Sequence, residues 1–331
     1  MQQPVAMEAI LRDTLVWENH CCPDYDDPGT SMPGLERYRD AGFAMVVVNA
    51  GDSRRSYDEN IALLTQMREW LHARPSQYAI VSTADEALRA KRDGKLAVCF
   101  NIEGAYSIDG DLKRVERYYR LGVRWMAMVY NRANRVGSGV HDDVDAGLTP
   151  FGREFIAELD RVGMIKDIAH TGYRTALDVC ERSTTPVTIS HSNPRALNDH
   201  ARCVPDEVMR ACAATGGVLG ISGVGLFLGN NDVSRESLAR SIEYAVDLMG
   251  IDHVGIGTDF TIMNTGELRT LLEHDPHTWP AGHGYDGEIR FAPPERVVET
   301  AELLLQRGYK EADVGKILGG NFLRVARQVW K

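Results

Sequence analysis

The sequence predicts an α/β chain folded as a TIM (β/α)₈ barrel, and three observations carry that prediction. Eight short apolar runs alternate with amphipathic helical stretches over 331 residues. Many of the helical stretches stop at a glycine. Five of the eight runs end in a histidine or a carboxylate, at the end of the strand where a barrel builds its active site.

The runs are Thr14–Glu18, Ala44–Asn49, Leu96–Ile102, Trp125–Tyr130, Met164–Ala169, Pro186–Ser190, Gly217–Ser222 and His253–Thr258. Short apolar runs without polar alternation suit parallel strands buried on both faces. Between them, Phe151, Phe155, Ile156, Leu159 and Val162 mark one stripe of a helix. Gly42, Gly122, Gly163, Gly216, Gly250 and Gly308 stand where helices need a left-handed cap. A doubly wound open sheet would alternate in a similar way, but the count and length favour the barrel. No linker or composition break divides residues 1–331, so one barrel domain is expected. The helix-poor stretch 273–292 follows the last run and suggests a lid or specificity loop at the barrel mouth.

Composition narrows the function classes. A net charge of −10 argues against nucleic acid, and no apolar run is long enough to span a membrane. The opening MQQPVAMEAILRD lacks the basic and apolar regions of a secretory signal. Six scattered cysteines suit a reducing, cytoplasmic setting better than a disulfide scaffold.

The strand ends carry the chemistry. The first run leads into Glu18-Asn19-His20-Cys21-Cys22, the third into Glu103, the fifth into His170, the sixth into His191 and the eighth into Asp259. Histidine and carboxylate ligands suit Zn²⁺ and other first-row divalent ions, and a carboxylate can bridge two. Such an ion lowers the pKa of bound water to about 7, and a nearby carboxylate such as Asp259 can carry the proton to a leaving amine. No Gly-x-Ser-x-Gly elbow suggests a serine hydrolase instead.

These strand ends resemble those of the membrane (renal) dipeptidase family, peptidase family M19 of the amidohydrolase superfamily. The matching pieces are IEGAYSID at Glu103, GLTPFG at 147–152, MIKDIAHTGY at His170 and TISHSNPRAL at His191. ARCVPDEVM at 201–209, HVGIGTDF at Asp259 and LGGNFLRV near the C-terminus continue the series, which spans nearly the whole chain. The resemblance implies a zinc dipeptidase, commonly a homodimer, with two ions bridged by a glutamate. It places Glu103 as the bridge, His170 and His191 on one ion and His20 on the other. It gives Asp259 the proton and Arg202 the substrate carboxylate, for which a planar fork is suited.

Two positions depart from the family pattern. The family's first motif is His-x-Asp, and here Cys22 stands at the aspartate. A thiolate can ligate zinc, so three outcomes remain: a ligand, a first site without metal, or weak binding. Cys21 would face the other way and join the core. At the fourth run, Tyr130 replaces a histidine that faces the reacting carbonyl in many members. Its hydroxyl could donate to a developing oxyanion, or the ring could simply pack in the mouth.

Weaker signals are Gly223-Val224-Gly225, which resembles a dinucleotide fingerprint only superficially, and His141-Asp142-Asp143, which could bind a cation or be a solvated loop. In the expected lid, Trp279, His283 and Tyr285 are candidate substrate contacts. The expected activity is hydrolysis of dipeptides on one or two zinc ions. The alternatives are another small amide, such as an N-acyl amino acid, or a catalytically weakened metabolite binder.

Overall fold

A computed structural model describes residues 3–263 and 265–331. All eight expected runs become strands of one parallel sheet: β1 (Trp17–Cys22), β2 (Met45–Asp52), β4 (Leu96–Glu103), β5 (Val123–Ala127), β6 (Ile165–Asp167), β7 (Val187–Ser192), β8 (Val218–Ile221) and β9 (Val254–Ile256). Two further short strands are β3 (Tyr78–Ile80), which pairs with the first half of β4, and β10 (Phe260–Thr261).

The order β1-β2-β4-β5-β6-β7-β8-β9 curls so that its two ends meet. They are joined by the last strand itself. β9 pairs with β8, the chain turns at Asp259, and β10 pairs with β1 at Cys21 and Cys22. Asp259 takes a left-handed φ of 58°, which lets one strand change partners within three residues. The seam is reinforced by buried Glu18, whose carboxylate accepts from the Thr258 amide (2.7 Å), the Thr258 hydroxyl (2.5 Å) and the His20 amide (3.1 Å). Burial raises Glu18 to about 7 in spite of those bonds.

Strand edges differ from the sequence expectation for a physical reason. β1 runs over Trp17–Cys22 rather than Thr14–Glu18, because hydrophobicity marks the part of a strand under the helices. The polar part facing the barrel mouth is equally extended but carries no apolar signal. The expected runs do not include β3, whose Ala79 and Ile80 are only partly buried. The helix expected after the fourth run spans Pro150–Val162, with Thr149 accepting from the Gly152 amide and Gly163 closing it at φ 85°.

The opposite end of the barrel is plugged by apolar side chains. The first residues of β1, β2, β6 and β8 (Trp17, Met45, Ile165, Val218) join Trp125 and the C-terminal helix Asn321–Val329 in one cluster. Trp125 lies edge-on to Trp17 (5.8 Å), Trp330 (5.4 Å) and Phe322 (6.4 Å). Trp125→Ala would therefore open a cavity far from the mouth. It is expected to lower unfolding free energy by about 3–5 kcal/mol in a denaturant titration while leaving metal content unchanged.

Candidate metal centre

β1, β4 and β7 and the turn after β6 deliver His20, Glu103, His191 and His170 to one buried point. Glu103 Oε1 lies 3.1 Å from His170 Nε2, 3.3 Å from His191 Nε2 and 3.5 Å from His20 Nε2. Its other oxygen accepts from Asn49 Nδ2 at 2.7 Å. Oε1 itself is buried and has no hydrogen-bond partner.

Bonds on the far side of the rings decide what faces inward. Asn131 donates to the Thr278 carbonyl, so its Oδ1 faces His170 Nδ1 at 2.7 Å, and that nitrogen carries the proton. Ser190 donates to Asp167, so its oxygen accepts from His191 Nδ1 at 2.7 Å. Both Nε2 atoms then present lone pairs, 2.9 Å apart and against a carboxylate oxygen. Three acceptors in contact repel one another unless a cation lies among them. The residues fit a metal on this ground, and the outer partners are the kind that orient metal-binding imidazoles. The third ring differs: Asn101 Nδ2 donates to His20 Nδ1 at 3.2 Å, so the ring's proton falls on Nε2, toward Glu103.

In the protein alone the positive charge beside Glu103 falls on His20. Burial, helped by Arg202, depresses His170 to about 3, and burial together with His20 holds His191 well below its usual range. His20 moves up to about 9: burial opposes the charge, but Glu103 and Asp259 outweigh it. Burial opposes ionisation of Glu103 too, yet His20 and His170 keep its carboxyl well below normal. Asp259 rises to about 6, chiefly through burial and relieved in part by His20.

Cys22 and Asp259 complete the far side. Cys22 Sγ is 3.3 Å from His20 Nε2 and 3.5 Å from Asp259 Oδ1, and that oxygen is 3.7 Å from His20 Nε2. Cys21 points the other way and is buried in the core. Thus every strand-end residue singled out from the sequence meets here.

Above the centre lies a cavity of about 740 Å³. Arg202 enters its wall 3% exposed, one guanidinium nitrogen donating to the His191 carbonyl (3.3 Å) and Nε without a partner. Tyr130 stacks on the His170 ring at 4.3 Å and meets Trp279 edge-on at 6.1 Å. Trp279, Tyr285, Ile289 and Phe291 from the 273–292 stretch line the same cavity. The glycine pair is a scaffold for that stretch: Ala292 donates to the Gly223 carbonyl, and Gly225 to the Arg290 carbonyl. His141 is no exposed loop residue; its Nε2 meets the Tyr285 hydroxyl at 2.9 Å, whereas Asp143 stays exposed. His283 packs against His141 at 4.8 Å rather than lining the cavity.

Other residues escaped the sequence reading. Asp52, at the end of β2, is buried and paired with Arg54, which lies 5.1 Å over Trp279. Tyr25 also lines the cavity, and Asn49, Asn101, Asn131 and the Asp167–Ser190 pair hold Glu103 and the three imidazoles in place. Asp52 ends a strand and could have been noticed; the asparagines carry no such signal.

Comparison with known proteins gives this geometry a family. The model of the membrane dipeptidase family, peptidase family M19, matches residues 35–272. The chain belongs to that family. His20 and Cys22 lie outside the matched stretch. An uncharacterised Klebsiella pneumoniae protein from the pqqA 5′ region is 31% identical over 75% of this chain and 88% of its own length. Dipeptidase tcpJ of Claviceps purpurea is 28% identical over 84% of this chain, which spans 60% of that protein. Among solved structures, an amidohydrolase from Pseudomonas aeruginosa superposes with a TM-score of 0.89 at 27% identity, covering 98% of this chain and 99% of its own. A Rhodobacter sphaeroides metallopeptidase bound to a phosphinate mimic of the dipeptide L-Ala-D-Ala gives 0.79 at 21%, covering 96% of this chain and 100% of its own. At that identity it supports the barrel fold.

His141 supplies a pH test of the cavity rim. Burial, then His283 and Arg202, depress it to about 3. The unfolded chain therefore binds a proton there below about pH 6.5 that the folded chain refuses, so stability is lost as pH falls from about 6.5 toward 3. His141→Gln is expected to flatten that slope relative to wild type in denaturant titrations across the range.

Proposed function

We propose that this chain is a zinc-dependent dipeptidase holding one ion or two. The observation that carries the reading is the partnerless Glu103 oxygen facing the inward lone pairs of His170 and His191, with the buried Arg202 in the wall of the cavity above. His170, His191, His20 and Glu103 would hold the metal, which when bound acidifies water and polarises the scissile carbonyl.

The chain's own residues supply the rest. Arg202 Nε and its fork receive the C-terminal carboxylate of a small substrate. Asp259, raised by burial, accepts a proton from water and returns it to the leaving amine. Tyr130, held against His170, donates its hydroxyl to the carbonyl oxygen as charge develops. Residues 273–292 act as a lid that closes the apolar side of the cavity with Trp279 and Phe291. We carry from the family a homodimer, and the six free cysteines suit a cytoplasmic location. Among the described residues no helix is long and apolar enough to cross a membrane.

One feature favours hydrolysis of an N-acyl amino acid as a second reading. The acids lining the cavity are Asp52, Glu103 and Asp259. Asp52 is engaged by Arg54 and the other two belong to the centre, so a substrate ammonium finds no free carboxylate on the apolar side. A panel of dipeptides beside acylated amino acids separates the two, and turnover confined to the latter would overturn the dipeptidase reading. On the better substrate, chelation should abolish activity and zinc restore it. Arg202→Met should cost about 10–100-fold in kcat/KM, the equivalent of one charge-assisted contact. An unchanged value would remove Arg202 from substrate binding.

A further inference from the structure

We infer that Cys22 is a metal ligand and makes the centre chemically asymmetric, with a nitrogen–oxygen half at His170 and His191 and a thiophilic half at His20 and Cys22. The inference rests on the metallohydrolase reading and deepens it.

Cys22 ends β1 two residues after His20, so both side chains leave the strand on the same face. Sγ, His20 Nε2 and an Asp259 oxygen lie within 4.8 Å of one another, the spacing of ligands around one ion. A second observation is independent of the cysteine. Glu103 Oε1, on a residue only 4% exposed, has no hydrogen-bond partner and points between this group and the histidine pair. The backbone holds the thiol in place: the Cys22 carbonyl accepts from the Ile262 amide (2.9 Å) and the Thr261 hydroxyl (3.3 Å). Cys22 thus sits on the stitched seam of the barrel rather than on a loose loop.

The thiol has little else to do. Its neighbours are the His20 ring at 3.3 Å and the Asp259 carboxylate at 3.5 Å, which accepts from the weak S–H donor. When a divalent ion binds, the S–H bond breaks, an Sγ–metal bond forms and one proton leaves to solvent. A sulfur ligand selects softer ions such as Zn²⁺, Co²⁺ or Cd²⁺ over Mn²⁺ or Mg²⁺, which prefer oxygen. Cys22 would therefore bias the His20 half toward thiophilic metals.

Cobalt substitution tests this by spectrum rather than turnover. Metal-free protein is titrated with Co²⁺ and its bound metal counted, for wild type, Cys22→Asp and Cys22→Ser, with circular dichroism reporting folding. Wild type should bind two ions and show a near-ultraviolet thiolate-to-cobalt charge-transfer band. Both variants should lose the band, and Cys22→Asp should still bind two ions. Bound cobalt without the band in wild type overturns the role of Cys22 and leaves the metallohydrolase reading standing. No bound cobalt at all overturns both.

Discussion

A carboxylate oxygen, buried and without a hydrogen bond, faces three imidazole nitrogens in the mouth of this barrel. His170 and His191 offer it lone pairs rather than donors. The surroundings are arranged so that the conflict stays: Asn49 holds the other Glu103 oxygen, and Asn131 and Ser190 lock the rings with lone pairs inward. A divalent cation among these groups would resolve the arrangement, and the other candidate site residues surround that point. Asp259 and Cys22 flank the point, Tyr130 stacks on one of its rings, and Arg202 stands in the cavity wall above.

The barrel makes this convergence possible. His20, Glu103 and His191 are fixed by strands, which hold side chains more rigidly than loops would. Asp259 sits where the last strand leaves β8's side and turns to β1, so the residue that completes the ring also faces the metal centre. Asp259, His170 and Asn131 all adopt left-handed backbone conformations. They are three of the six non-glycine residues with such a backbone among the described residues, and packing around the site holds them there. The Glu18–Thr258 bonds and the Trp17–Trp125 plug provide the surrounding rigidity.

The fold is legible because buried parallel strands leave apolar runs, and the candidate ligands because five of the eight runs end in a histidine or a carboxylate. The limits have the same origin. β1 was placed three residues early, since apolar signal stops where a strand turns its polar face to the mouth. The asparagines that orient His20, Glu103 and His170 lie among ordinary loop and strand residues, and only coordinates show which atoms they meet. Arg202 could have been a surface arginine at a helix start; burial at 3% removes that option. His141 looked like part of a solvated loop and is packed under Tyr285 instead.

The central claim is that Glu103, His170 and His191 jointly hold a metal. The most direct test is a crystal structure of zinc-loaded protein with anomalous data collected at the zinc edge. The account predicts a peak about 2.0–2.2 Å from Glu103 Oε1 and from Nε2 of His170 and His191. Zinc bound only elsewhere, with those three groups out of contact with it, would contradict it.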